Sequence, residues 1–369
     1  MHILAGVVGL ILLSVVLLDA FETIVLPRRV SRRFRLTRLF YRYTWQGWTA
    51  GVRRALPNGW REDYLGFYGP FSLLLLLGMW ATGLIIGFAL VQWALGSALS
   101  APDAHPDFGT DLYMSGTTFF TVGFGDVVPR GGGGRFVAVV EGGMGFAFLG
   151  AVIGYLPVLY QAFSRREVSI TLLDARAGSP PTALELLRRH CPGNDLEAIR
   201  GFLQDWERWA AELLESHLSY PVLGYFRSQH ENESWLAALT MILDSCALVM
   251  AGSDGPAART ARLTFAMARH AAVDLAQVFD TPQRPPAQDR LPPADLDHLC
   301  QALVAAGVSL KTGPAVDDKL DHLRRMYEPY VNALGEYLRV TLPPWLPAAD
   351  AHDNWRTTVW DRYDGISLV

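Results

Sequence analysis

Three stretches of the chain stay apolar long enough to cross a bilayer, which takes about 20 residues. They are residues 3–26, 71–95 and 136–163. The first carries Asp19 and Glu22 near its far end, the second has no charge, and the third is glycine-rich and holds one acid, Glu141. Only Met1 and His2 precede the first run, with no basic residues and no small-residue cleavage site before the arginines. It therefore reads as a retained helix rather than a removable leader. Between the second and third runs, residues 111–120 have helical character but are too short to span. They predict a re-entrant helix. The backbone after them reads as irregular, which is tolerated at membrane depth only where it is buried in protein or lines a water-filled path.

Beyond Phe163 the pattern changes to the 3.6-residue periodicity of amphipathic helices. Blocks fall near 182–190, 195–217, 233–251, 257–279, 294–306 and 316–340, separated by breakers such as Pro181, Pro192-Gly193, Gly252 and Gly313-Pro314. Alternating strand patterns are scarce. The expected fold class is an all-α membrane protein with an all-α domain at 164–369.

Composition agrees. Of 369 residues 50% are hydrophobic and 18% charged, against about 25% charged in ordinary soluble domains. Cys191, Cys246 and Cys300 cannot staple such a chain, so a disulfide scaffold is excluded. The net charge of −4 conceals sorting by region. Residues 27–61 hold ten arginines and no acid, while the 97–129 loop holds Asp103, Asp107, Asp111 and Asp126 and no Lys or Arg. The positive-inside rule puts the arginine segment in the cytoplasm and the acidic loop outside. The N-terminus is then expected outside, with the domain after Phe163, which has 20 basic and 27 acidic residues, in the cytoplasm. The arginines of residues 28–54, interleaved with Phe34, Phe40, Tyr41, Tyr43, Trp45 and Trp48, suit a segment lying among headgroups. It reads as a topology anchor or as a contact for anionic lipids, and not as a nucleic-acid site. Asp19 and Glu22 read as partners for nearby arginines or as a proton-sensing pair.

The re-entrant segment ends in Thr121-Val122-Gly123-Phe124-Gly125, followed by Asp126. This resembles the signature filter of potassium channels, usually Thr-Val-Gly-Tyr-Gly, and the resemblance covers about residues 71–163. It implies an outer helix 71–95, pore helix 111–120, filter 121–125 and inner helix 136–163. Residues 1–26 then form an extra transmembrane helix and 27–70 an interfacial segment. Carbonyl rings from four subunits replace the water shell of a potassium ion. One filter per chain thus implies a homotetramer, with K+ held at Thr121, Val122, Gly123 and Phe124. Gly123 and Gly125 adopt left-handed backbone cheaply, and Val122 and Phe124 point away from the pore. Phe124 replaces the common Tyr, Phe120 stands where the family often has Thr, and Thr117 where some members carry a Glu. Glu141 is expected to supply the missing carboxyl, hydrogen-bonded to the pore-helix end or Asp126. An acid snorkelling to the outer surface is the competing reading. Gly145, or the pair Gly154 and Pro157, is expected to act as the gating hinge of the inner helix.

No cofactor motif and no nucleophile–base pair stands out, so the chain does not read as an enzyme. His190-Cys191 and His298/Cys300 lack zinc spacing. Asp317, Asp318 and Asp321 beside Arg324 and Arg325 suit helical ion pairs. The resulting expectation is a potassium channel in a prokaryotic inner membrane, whose helical domain regulates the gate, binds an unknown small molecule or assembles the tetramer. A nonselective cation channel and a signalling protein with a non-conducting pore are the alternatives.

Overall fold

The computed structural model describes residues 2–26, 35–57, 60–100, 107–191, 193, 195–229, 233–286, 288–348 and 353. Of the expected lipid-facing and outer-loop residues, Arg28, Arg29, Arg32, Arg33, Phe34 and Asp103 lie outside the described residues. The chain forms two units, Met1–Gln161 and Ala162–Val369.

In the first unit, α1 (His2–Ala20) passes into a π-helical turn, Phe21–Val25. It packs along α3 (Arg61–Ala94) at a crossing set by small residues. A Cβ on Gly9 would come within 2.7 Å of the Gly87 carbonyl, and one on Gly87 within 2.7 Å of Leu13. Such close backbone approach is how helices gain contact where no hydrophobic force drives them together. Helix α2 (Leu36–Ala55) buries the stripe Thr37, Tyr41, Trp45, Thr49 and Val52. This face meets the first turns of α3: Trp45 and Tyr68 stack edge-on at 4.7 Å, and Trp48 Nε1 donates to the Tyr64 carbonyl at 3.1 Å.

The outer helix begins ten residues before the expected 71. Residues 61–70 are polar and aromatic and so escape an apolar-run criterion. Glu62 and Asp63 in the first turn nevertheless suit a helix N-terminus, and Pro70 is accommodated inside the helix. The inner helix, α5, likewise exceeds its apolar run, spanning Gly132–Ala177 and passing through Pro157. The charged residues from Ser164 onward continue it as helix.

Asp19 and Glu22 part company. Glu22 pairs with Arg35 at 3.5 Å. Asp19 meets no described arginine. Buried, it accepts from the Thr37 amide (3.1 Å), the Thr37 hydroxyl (2.6 Å) and Trp80 Nε1 (3.0 Å). It thus caps the start of α2, accepting from an amide of the first turn.

The second unit continues with α6 (Ala183–His190), α7 (Ile199–Ser219), α8 (Trp235–Gly252), α9 (Pro256–Val278), α10 (Pro293–Ala305), α11 (Pro314–Arg325) and α12 (Glu328–Leu338). The expected single block 316–340 is two helices, because Pro329 lacks the amide a continuing helix needs. By length and composition α8 resembles a fourth span, but every residue except Met250 is buried. A helix apolar on all sides is a core helix when protein surrounds it, here α6, α9, α11 and α12. Its one charge, Asp244, pairs with Arg290 at 2.6 Å and accepts from Tyr327. The Arg290 and Arg324 guanidiniums lie over the Trp345 ring, 5.8 and 5.7 Å from its centre. Asp321 pairs with Arg324 at 3.3 Å.

Candidate functional site

The re-entrant segment folds as helix α4 (Phe108–Phe119), three residues earlier than expected. A capping box sets its start. The Asp107 carboxylate accepts from the Thr110 amide at 3.0 Å, and the Thr110 hydroxyl accepts from the Asp107 amide at 3.3 Å. Beyond Phe119 the backbone turns sharply. The Thr117 carbonyl accepts from the Val122 amide at 2.8 Å and the Gly123 amide at 3.3 Å, and the Thr118 carbonyl from the Thr121 amide at 3.0 Å. The segment 121–125 is thus suspended from the last turn of α4. Thr117 spends its own hydroxyl on the Met114 carbonyl at 3.0 Å.

Along this segment φ is positive at Thr121 (56°), Gly123 (58°) and Gly125 (80°), and not at Val122 or Phe124. Alternation of this kind turns every second peptide plane over. Glycine bears it at little cost, but Thr121 is β-branched and strained there. The two ends of the loop are closed by a short antiparallel pairing of β1 (Leu99–Ser100) with β2 (Val128–Pro129). Asp126 accepts from the Tyr113 hydroxyl at 3.0 Å. Phe120, Val122 and Phe124 are exposed on the single chain, as are Phe136, Val139, Phe146 and Leu149 of α5.

Glu141 is fully buried and bonds neither the end of the pore helix nor Asp126. Its Oε1 meets Ser115, in the middle of α4. Four residues on, Gly145 touches the end of α4: a Cβ there would fall 1.8 Å from the Phe119 carbonyl oxygen. Gly145 is therefore a position of close helix contact, whereas a Cβ added at Gly154 would meet nothing within 4 Å. Sequence reasoning missed Ser115, Tyr113 and Gln92, whose side-chain amide donates to the Gly134 carbonyl at 2.9 Å. Ser115 left one trace, as a polar residue inside a short apolar helix.

In the second unit, Cys191 is buried and its thiol is pushed up to about 11 by burial. Among the described residues no three His, Cys, Asp or Glu side chains gather as a metal set.

Residues 75–161 match a family described as ion channel. The match takes in most of α3, all of α4, segment 121–125 and the first thirty residues of α5, and it ends with the first unit. The chain is also 24% identical over 303 residues to the uncharacterized membrane protein YdjJ of Bacillus subtilis (strain 168), covering 81% of this chain and 85% of that protein. That similarity is too long to be confined to the ion-channel segment. No solved structure matches the chain. The architecture is that of an all-α membrane protein carrying an ion-channel-like domain.

Proposed function

We propose that the protein is a potassium-selective channel that conducts K+ passively down its gradient as a homotetramer. The observation that carries this reading is the alternating sign of φ at residues 121, 123 and 125. In a backbone that alternates this way, successive carbonyls face one side, as a ring of oxygens replacing a hydration shell requires. Residues 121–124 would line four such ion positions. The chain supplies one loop, and a single loop cannot surround an ion. The exposed apolar side chains of α5 and of the loop supply surface for three further copies. The C-terminal end of α4, from which the loop hangs, presents negative dipole charge that favours a cation.

In this reading the arginine-rich segment faces the cytoplasm. Arg38, Arg42, Arg53 and Arg54 are exposed on α2, away from its buried stripe, and would meet anionic headgroups. The inner helix carries the gate, with Gly154 and Pro157 as its moving part. The helical domain into which α5 continues regulates that gate, in response to an unknown small molecule or as an assembly platform.

Flux from purified protein in liposomes tests the reading. K+ flux well above Na+ flux is expected, and its loss in Gly123→Ala with the tetramer intact. Equal K+ and Na+ flux would make the pore a nonselective cation channel. No flux of either ion would mean a non-conducting one.

A further inference from the structure

Ser115 Oγ lies 2.8 Å from the Ile85 carbonyl oxygen and in hydrogen-bond contact with Glu141 Oε1. These three residues belong to three helices: Ile85 to α3, Ser115 to α4 and Glu141 to α5. A serine hydroxyl has one proton, and a carbonyl has none. If Ser115 gave its proton to Glu141, its oxygen would face the Ile85 oxygen with no hydrogen between them. Glu141 would then be an ion with one bond, and its Oε2 has no partner. No described arginine or lysine pairs with it. A buried carboxylate so placed is strongly disfavoured.

Both Ser115 contacts are satisfied if the hydrogen between Ser115 and Glu141 belongs to Glu141, and the unpartnered Oε2 is then a neutral carbonyl oxygen rather than part of an ion. The carboxyl then donates to Ser115 Oγ, and Ser115 donates to the Ile85 carbonyl. We propose that Glu141, Ser115 and the Ile85 carbonyl form a one-way hydrogen-bond relay in which a neutral Glu141 is the donor, fixing the pore helix between its two flanking helices. Bonds that run in one direction polarise and strengthen each other. Ser115 stands two residues before Thr117, whose carbonyl holds the Val122 and Gly123 amides. Glu141 stands one turn before Gly145 and its contact with Phe119. The relay and that contact together hold the last two turns of α4, and with them the loop suspended from its end. Glu141 and Ser115 are thus positioning residues for the proposed pore, and the functional part of this inference rests on that reading.

Infrared spectroscopy of the full-length protein at neutral pH tests the donor role directly. The C=O stretch of a protonated carboxyl is expected in the wild type and absent from Glu141→Gln. No such band in the wild type would overturn the proposal, whether or not the protein conducts. Conduction tests the positioning role. Gln donates as a neutral carboxyl does, so Glu141→Gln should keep K+ flux within about twofold. Glu141→Ala and Ser115→Ala should each lose about tenfold, the scale of a buried polar group left unpaired. A Gln variant as impaired as the Ala variant, or an Ala variant indistinguishable from wild type, would also overturn it. Where Glu141→Ala fails to assemble, Ser115→Ala against Glu141→Gln gives the same comparison. A wild type that carries the band but passes no ion would fault the channel reading and leave the relay standing.

Discussion

Gly145 and Gly154 lie nine residues apart on one helix, and their surroundings assign them different work. At Gly145 a methyl would sit 1.8 Å from a backbone oxygen that cannot move without taking the end of α4 with it. Gly145→Ala should cost about 1–3 kcal/mol, the scale of overpacking a tight contact, seen as a lower melting temperature in detergent and reduced flux. Gly154 has open space, so Gly154→Ala should leave stability unchanged or raise it by up to about 1 kcal/mol through helix propensity. If it still lowers open probability in single-channel recordings, the cause is bending. Asp19 gives a third case. Asp19→Ala leaves the Thr37 amide and Trp80 Nε1 without an acceptor and should cost about 1–3 kcal/mol. Asp19→Asn keeps one carbonyl oxygen and should cost less in the same denaturation series. At this scale legibility depended on distance along the chain. Segment 121–125 is contiguous, so its pattern stood out in the sequence. Asp19 and Trp80 are 61 residues apart, and Ser115 and Glu141 are 26 apart. Nothing local announces such pairs, so neither contact was legible before the fold was known.

Helices were legible where their apolar pattern was unbroken, and misjudged where it stopped before the helix did. Both α3 and α5 outrun their apolar stretches, because lipid solvation ends where hydrogen bonding along the backbone does not. Near its end α5 buries Arg166, which donates to the carbonyls of Leu223 (2.9 Å) and Phe226 (3.0 Å) and stands 3.3 Å from His217 Nε2. His217 lies on α7, with its Nδ1 against the Leu213 carbonyl and Ser216 and its ring 5.2 Å from that of Trp235 on α8. Burial first, and the Arg166 charge second, push His217 down to about 3. An unfolded histidine titrates near 6.5, so between these values the unfolded chain binds the extra proton. Stability from this site is therefore complete above about pH 6.5 and is lost as pH falls toward 3, at up to roughly 1.4 kcal/mol per pH unit. Unfolding of the second unit, followed by tryptophan fluorescence in the full-length protein, should show that slope. His217→Gln should flatten it, even if the variant is less stable at neutral pH.

For the molecule as a whole, the informative quantity in the sequence was where charge lies rather than its sum. Nine arginines precede α3, a tenth opens it, and four acids lie in the loop around α4; the expected orientation rests on this asymmetry without reference to any contact. The second unit was less legible. Its helices were visible, but the partners of Asp244, Arg290, Arg324 and Trp345 come from distant segments that only the fold brings together. The buried state of α8 has a further consequence, which concerns parity. Hydropathy offers four crossing helices, and an even number would return the chain to the face where it began. Among the described residues, enclosing α8 within protein leaves three candidate spans, an odd number, which would put the two ends on opposite faces. Reporters fused to the N-terminus and the C-terminus should accordingly respond from opposite sides of the membrane, and agreement between them would mean that α8, or another helix, had been miscounted.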